Sequence, residues 1–388
     1  MLELSIMPSS MSDRKHSLGS LRLHWGLLLL VSGLLVAGGY FFLQQVWGEQ
    51  SAVWWASIAG LSAIYQLGQL WRNLEMNYRP GEEELLSIFG WGTVASFVRL
   101  LAISLLAGFL GQTSLPGRIA WIPFFLYLLA NASDFVDGYL ARVTGWVTKL
   151  GQKLDTDLDG RALLVVTLLA FQYGRVPWWF LMVGIARYLF LFGLWWRERQ
   201  GRPNYELQPS VGRRAFAGVQ MGFSTAMLAP LFRAPETFLA ASLFMLPFLG
   251  NFLADWWQVS GRSELRESWE AMVNPLRRFG AGWGGLLVRI AVALFLLLRL
   301  AEGPLSPAFS IAEGLAIAAL ALGVLGRVSA IVILVETGLR QQFGDLGILD
   351  WLILTGGTVL LFWGSGSYSL WQPEQNWYQR RPGEKEKE

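Results

Sequence analysis

The chain has no cysteine and only two histidines, His16 and His24, in 388 residues. Disulfides, thiolate metal sites and cysteine nucleophiles are therefore excluded. A histidine-built zinc site is left without ligands, since both histidines sit near the N-terminus. Charge is scarce as well. Asp, Glu, Lys and Arg make up 15% of the residues, against about 25% in ordinary soluble domains. The net charge of +3 is small, and no nucleic-acid partner is expected.

What fills the chain instead is apolar: 53% of residues are hydrophobic and 20 are Trp. A membrane-spanning helix needs about 20 mostly apolar residues. Candidate spans lie at 25–46, 52–71, 88–111, 117–136, 155–173, 177–196, 215–232, 236–257, 284–301, 308–326, 328–342 and 348–365. The expectation is an all-α, polytopic membrane protein of about twelve transmembrane helices. The first run follows Arg14, Lys15 and Arg22, is long enough to span and lacks a small-residue cleavage site, so it reads as a first transmembrane helix rather than a leader. Trp54-Trp55, Trp178-Trp179, Trp195-Trp196 and Trp256-Trp257 fall at span ends, where indole prefers the interface.

Basic residues cluster in alternate loops: Arg72 and Arg79; Arg142, Lys149 and Lys153; Arg197, Arg199 and Arg202; Arg262, Arg266, Arg277 and Arg278. The positive-inside rule then places both termini on the cytoplasmic side of the plasma membrane. The chain divides into two N-terminal helices with a connector (1–80), a six-helix block (81–258), a charged amphipathic linker (259–282), a four-helix block (283–370) and a polar, disordered tail (371–388).

The chemistry concentrates between Asp134 and Asp159, which read D-F-V-D-G-Y-L-A-R-V-T-G-W-V-T-K-L-G-Q-K-L-D-T-D-L-D. Asp134 and Asp137 share one helix face, and Asp155 and Asp159 share a face on the next helix. Carboxylates at a membrane edge are costly, and four pointed into one cleft repel unless a cation lies between them. Oxygen ligands with no His or Cys favour Mg²⁺, Mn²⁺ or Ca²⁺. Asp157 falls on the opposite helix face and reads as a surface charge. Gly138, Ala141 and Gly151 allow close backbone approach, and Arg142 can fork onto a phosphate.

This segment resembles the signature of the CDP-alcohol phosphatidyltransferases, D-x-x-D-G-x-x-A-R followed after eight residues by G-x-x-x-D-x-x-x-D. Asp134, Asp137, Gly138, Ala141, Arg142, Gly151, Asp155 and Asp159 fill every position. The resemblance implies a six-helix catalytic core and two Mg²⁺ or Mn²⁺ ions held by Asp134, Asp137, Asp155 and Asp159. It also implies Asp159 as catalytic base on the acceptor hydroxyl, and a cytidine diphosphate site lined by Gly138, Ala141, Arg142 and Gly151. The implied reaction moves a phosphatidyl group from CDP-diacylglycerol to a small alcohol and releases CMP, in a membrane-embedded homodimer, and the positive-inside rule turns the acidic motif to the cytoplasm. G-I-A-R-Y around Arg187 and the 209–222 stretch with Arg213 and Arg214 resemble acceptor-phosphate positions, which point to glycerol 3-phosphate or inositol phosphate. One departure concerns the first family helix, whose N-x-x-T-x-x-R pattern is represented by Thr93, Ser96 and Arg99 without the Asn. The 310–327 and 364–371 stretches resemble DoxX-like membrane proteins. Glu313 and Glu336, in the late helices, are either a relay or packed polar residues.

Two other readings compete. One is a transporter or channel whose acids line a cation path, and the other a non-catalytic scaffold with a relict motif. The clustering of the acids in one segment, unrepeated later in the chain, weighs against the first. An intact Asp159 weighs against the second.

Overall fold

The computed structural model describes residues 11–82, 84–207, 211–303 and 306–372, apart from the side chains of Met11 and of residues 211–215. Among the described residues the chain is helical and contains no β-strand. Its helices are α1 (Met11–Trp47), α2 (Glu49–Arg72), α3 (Trp91–Ala107), α4 (Ile122–Thr144), α5 (Lys149–Gln172), α6 (Leu181–Arg199) and α7 (Val211–Leu228). They continue with α8 (Glu236–Val259), α9 (Ser263–Phe279), α10 (Gly285–Glu302), α11 (Pro307–Leu322), α12 (Gly326–Arg340) and α13 (Ile348–Trp363).

Each of the twelve expected spans falls on one of these helices, and α9 covers most of the 259–282 stretch read from the sequence as a charged amphipathic linker. Among the described residues, five segments are long and apolar enough to cross a membrane: Ser12–Trp47, Gly117–Thr144, Trp178–Arg199, Glu236–Val259 and Ser263–Glu302. The last joins α9 to α10 through a kink at Gly282 (φ −104°, ψ −115°). Four of the remaining candidates fall short for identifiable reasons. Helices α3, α11 and α13 are apolar but have only 16 or 17 residues, under the length a straight crossing needs. Helix α5 opens with two charged turns. Residues 373–388, most of the expected tail, lie outside the described set.

The backbone forms two compact units, one up to Tyr173 and one from Gly174 onward. In the first, α1 and α2 form a hairpin turned at Gly48 (φ 92°) and tied by Trp25 Nε1 donating to Leu67 O at 2.8 Å. Gln66 Nε2 donates to Ser104 Oγ at 2.7 Å and joins α2 to α3. A core of Leu21, Leu67, Leu70, Phe97, Leu150 and Leu154 packs α1, α2, α3 and α5 together. The far end of α5 is fastened by Gln172, whose Nε2 donates to Phe109 O (3.0 Å) and Gln112 O (2.6 Å) while its Oε1 accepts from Gly111 N (2.6 Å).

In the second unit α7 packs on α8, with the Phe223 and Phe244 rings stacked at 4.3 Å. Helices α10–α13 form a four-helix bundle around Val292, Leu296, Leu320, Ile333, Ile353 and Leu360. Its interior holds an ionic cluster. Arg299 pairs with Glu313 (2.8 Å), Glu336 and Asp350 (3.0 Å), and Arg340 pairs with Glu313 (3.1 Å) and Glu336 (3.5 Å). Glu313 and Glu336 are thus locked between arginines inside the bundle, alongside Arg299, Arg340 and Asp350, which the sequence pattern did not single out.

Candidate active site

The motif acids are placed by a short helix–loop–helix. Helix α4 stops at Gly145, whose left-handed conformation (φ 65°) a residue with a side chain adopts only at a cost. Three residues later Thr148 caps α5, its Oγ1 accepting from Gly151 N at 3.0 Å. Within α5, Leu150, Leu154 and Leu158 are buried. Asp155 and Asp159 each follow a buried Leu by one residue, which sets them about 100° around the helix from that face. Asp157, as expected, faces away and lies 4.0 Å from Arg161 one turn on.

Asp134, Asp137 and Asp155 each bring a carboxylate oxygen within 4.8 Å of the other two. Asp137 is buried, and Asp134 and Asp155 are partly exposed. Three hard oxygen donors at this spacing fit a divalent cation such as Mg²⁺ or Mn²⁺. Asp159 lies outside this trio and is ion-paired with Arg99.

Helix α3 is the third wall. Gly92, Ser96 and Arg99 recur at helical spacing along the face turned to the acids. At Gly92 an added Cβ would lie 2.9 Å from Asp137 O and 3.0 Å from the Ala141 Cβ, so glycine lets α3 lie against α4. One turn on, Ser96 Oγ donates to Asp137 Oδ2 at 2.8 Å. A further turn on, the Arg99 guanidinium reaches Asp134 (2.5 Å), Asp155 (3.1 Å) and Asp159. Arg99 is wholly buried, at 0% exposure. Gly151 works the same way at the other helix: an added Cβ would sit 3.2 Å from Thr148 Oγ1 and 3.5 Å from Thr93 Oγ1 of α3.

The remaining predicted positions are placed as follows. Gly138 lies beneath Arg142, whose Nη1 would be 3.0 Å from a Cβ there. Arg142 and Ala141 are half-buried on the last turns of α4. Arg187, half-buried on α6, and Arg213 and Arg214, at the start of α7, belong to the second unit. The side chains of Arg213 and Arg214 lie outside the described residues. The motif did not reveal Ser96 and Arg99 as direct partners of the acids. The signal was present, since an arginine inside an apolar helix implies a buried anion.

This geometry can be set beside known proteins. Residues 90–252 match the model of the CDP-alcohol phosphatidyltransferase family. That range takes in all eight signature positions together with Ser96 and Arg99. A Mycobacterium tuberculosis (strain H37Rv) protein named "Putative cardiolipin synthase" is 31% identical over 130 residues, 29% of this chain and 60% of that protein. A Bacillus subtilis CDP-diacylglycerol–glycerol-3-phosphate 3-phosphatidyltransferase is 27% identical over 110 residues, 28% of this chain and 49% of that protein. A Cereibacter sphaeroides protein of the same name is 35% identical over 77 residues, 19% of this chain and 35% of that protein. The chain therefore spans 60% or less of the length of these relatives. No solved structure matches the chain.

Proposed function

We propose that this protein is a divalent-metal-dependent CDP-alcohol phosphatidyltransferase of phospholipid synthesis. It transfers the phosphatidyl group of CDP-diacylglycerol to a small phosphorylated alcohol and releases CMP. The observation that carries the reading is the convergence of Asp134, Asp137 and Asp155 within 4.8 Å at the centre of a complete eight-position motif. Glycerol 3-phosphate is the preferred acceptor, because two relatives are named for transfer to it. Inositol phosphate is the second candidate.

In this mechanism the acceptor hydroxyl attacks the β-phosphorus of the CDP-lipid, and the bond from that phosphorus to the oxygen bridging to the α-phosphate breaks. The electron pair leaves with CMP. Asp159 takes the hydroxyl proton. Asp134, Asp137 and Asp155, with Asp159 contributing, hold the Mg²⁺ or Mn²⁺. When bound, the metal neutralises charge on the phosphates as the leaving group departs. Arg142 and the small residues Gly138, Ala141 and Gly151 seat the cytidine diphosphate. Arg187, Arg213 and Arg214 are assigned to the acceptor's phosphate.

The reading includes both termini and the site on the cytoplasmic face of the plasma membrane, where soluble CMP can leave, and a homodimeric assembly. It keeps the C-terminal bundle as a DoxX-like accessory. The fixed Arg99 guanidinium among the carboxylates argues against a cation path, since a permanent positive charge at the acids would oppose permeation.

The test incubates purified protein, CDP-diacylglycerol and Mn²⁺ with glycerol 3-phosphate, inositol phosphate or pooled polar alcohols. CMP is measured together with the mass of the lipid formed. The expected outcome is CMP release with a phosphatidylglycerophosphate product. No CMP with any acceptor sinks the proposal.

A further inference from the structure

The motif acids carry four formal negative charges, and α3 answers them with one buried cation. Arg99 donates through Nη1 to Asp134 and Asp155 and through Nη2 to Asp159. Ser96 covers the fourth acid, Asp137, at 2.8 Å. Every motif carboxylate therefore has a donor from α3. Two of the carboxylates Arg99 engages, Asp134 and Asp155, belong to the trio that fits a metal. The arginine and a divalent ion thus draw on the same two carboxylates.

The side chain has little freedom to leave. It is fully buried, and its helix is pinned on both sides of it. Gly92 sits against the α4 backbone. Phe97, Leu100 and Ile103 are buried on α3, and Gln66 binds Ser104 from α2. A buried guanidinium held this way is a resident charge rather than a mobile clamp. Without it, four carboxylates from two helix ends would face one another in a partly dehydrated cleft, where like charges a few ångströms apart cannot all remain ionised.

We propose that Arg99 is a built-in counter-cation that holds the site assembled without metal and lowers divalent-metal affinity by competing for Asp134 and Asp155. Arg99 is a positioning residue. It exerts its effect on the acids rather than on substrate. The inference rests on the metal-dependent reading above, and it assigns what keeps the site folded between metal-binding events.

The direction of the effect follows from charge. Arg99→Gln removes one positive charge within contact distance of the ligands, and at such distances the coupling is large even with strong protein screening. Metal should bind more tightly, by about tenfold or more. The metal-free protein should become less stable, because the carboxylates lose their partner. Arg99→Lys keeps the charge while losing the planar fork, so its metal affinity should stay within a few-fold of the parent.

The experiment titrates Mn²⁺ into the full-length, detergent-purified protein and reads free Mn²⁺ by electron paramagnetic resonance. Melting temperature is followed in parallel, in EDTA and in saturating Mn²⁺. The expected result for Arg99→Gln is tighter Mn²⁺ binding, a lowered melting temperature in EDTA and recovery in Mn²⁺. All buffers carry Mn²⁺ during its purification, so that a variant unstable only without metal is still recovered. Binding equal to or weaker than the parent overturns the proposal. So does a variant that fails to fold even with Mn²⁺, which would mark the arginine as purely structural. A parent protein that binds no Mn²⁺ overturns both this inference and the metal-dependent reading. A parent that binds Mn²⁺, shows the Arg99 effects and releases no CMP sinks only the transferase reading.

Discussion

Asp159 shares Arg99 with Asp134 and Asp155 but stands outside the trio whose carboxylate oxygens converge within 4.8 Å. That separation suits a base better than a shared ligand, because a proton acceptor needs an oxygen not fully committed to metal. Asp159→Asn should lower CMP release by about 10²–10⁴-fold, the usual range for losing a positioned general base. Mn²⁺ binding should change much less than in Asp155→Asn. Steady-state CMP assays alongside Mn²⁺ titration of both variants check this. Equal loss of metal in the two variants would instead make Asp159 an ordinary ligand.

At the scale of elements, α3, α4 and α5 form the site, and two features set their approach. Thr148 caps α5, and its loss should cost about 1 kcal/mol. Gly92 allows α3 to lie against the Asp137 carbonyl. Gly92→Val would force α3 away from α4, with an overpacking cost of about 1–3 kcal/mol. It would also carry Ser96 and Arg99 off their carboxylates. The expected outcome is a large loss of CMP release, whereas Thr148→Ala should lower the melting temperature and keep most activity. Thermal melts and activity assays on the two variants separate positioning from plain stability. The acidic motif was readable because its spacing is local: i, i+3 and i, i+4 offsets decide which acids share a face before any packing occurs. The role of α3 was not readable in the same way. Its residues meet the acids across 35 to 60 positions of chain, a distance that no periodicity encodes.

At the scale of the whole molecule, each unit buries charge inside apolar helices. The second unit does so without any motif. Arg299 and Arg340 lie among Glu313, Glu336 and Asp350 in the bundle of α10–α13. Removing one partner from such a cluster leaves uncompensated charge in a low-dielectric interior, at about 3–5 kcal/mol. Arg299→Met should therefore lower the melting temperature sharply. If the bundle is an accessory, CMP release by the protein still folded should survive. Melting curves and assays at a temperature below the variant's transition provide the check. Lost activity with an unchanged melting temperature would give the bundle a part in the chemistry.

The amino-acid sequence by itself determined the all-helical class, the positions of the helices, the eight-residue signature and the face on which each motif acid lies. These are short-range properties, set by apolar run length and helical period. Only the tertiary structure decided that Arg99 stands among the carboxylates, that Ser96 holds Asp137, and that Glu313 and Glu336 are ion-paired rather than merely packed. Those facts depend on which helices pack together, and packing is a long-range outcome of the whole core. A buried charge finds its partner only there, because in a low-dielectric interior it must be compensated by whatever the fold brings within reach.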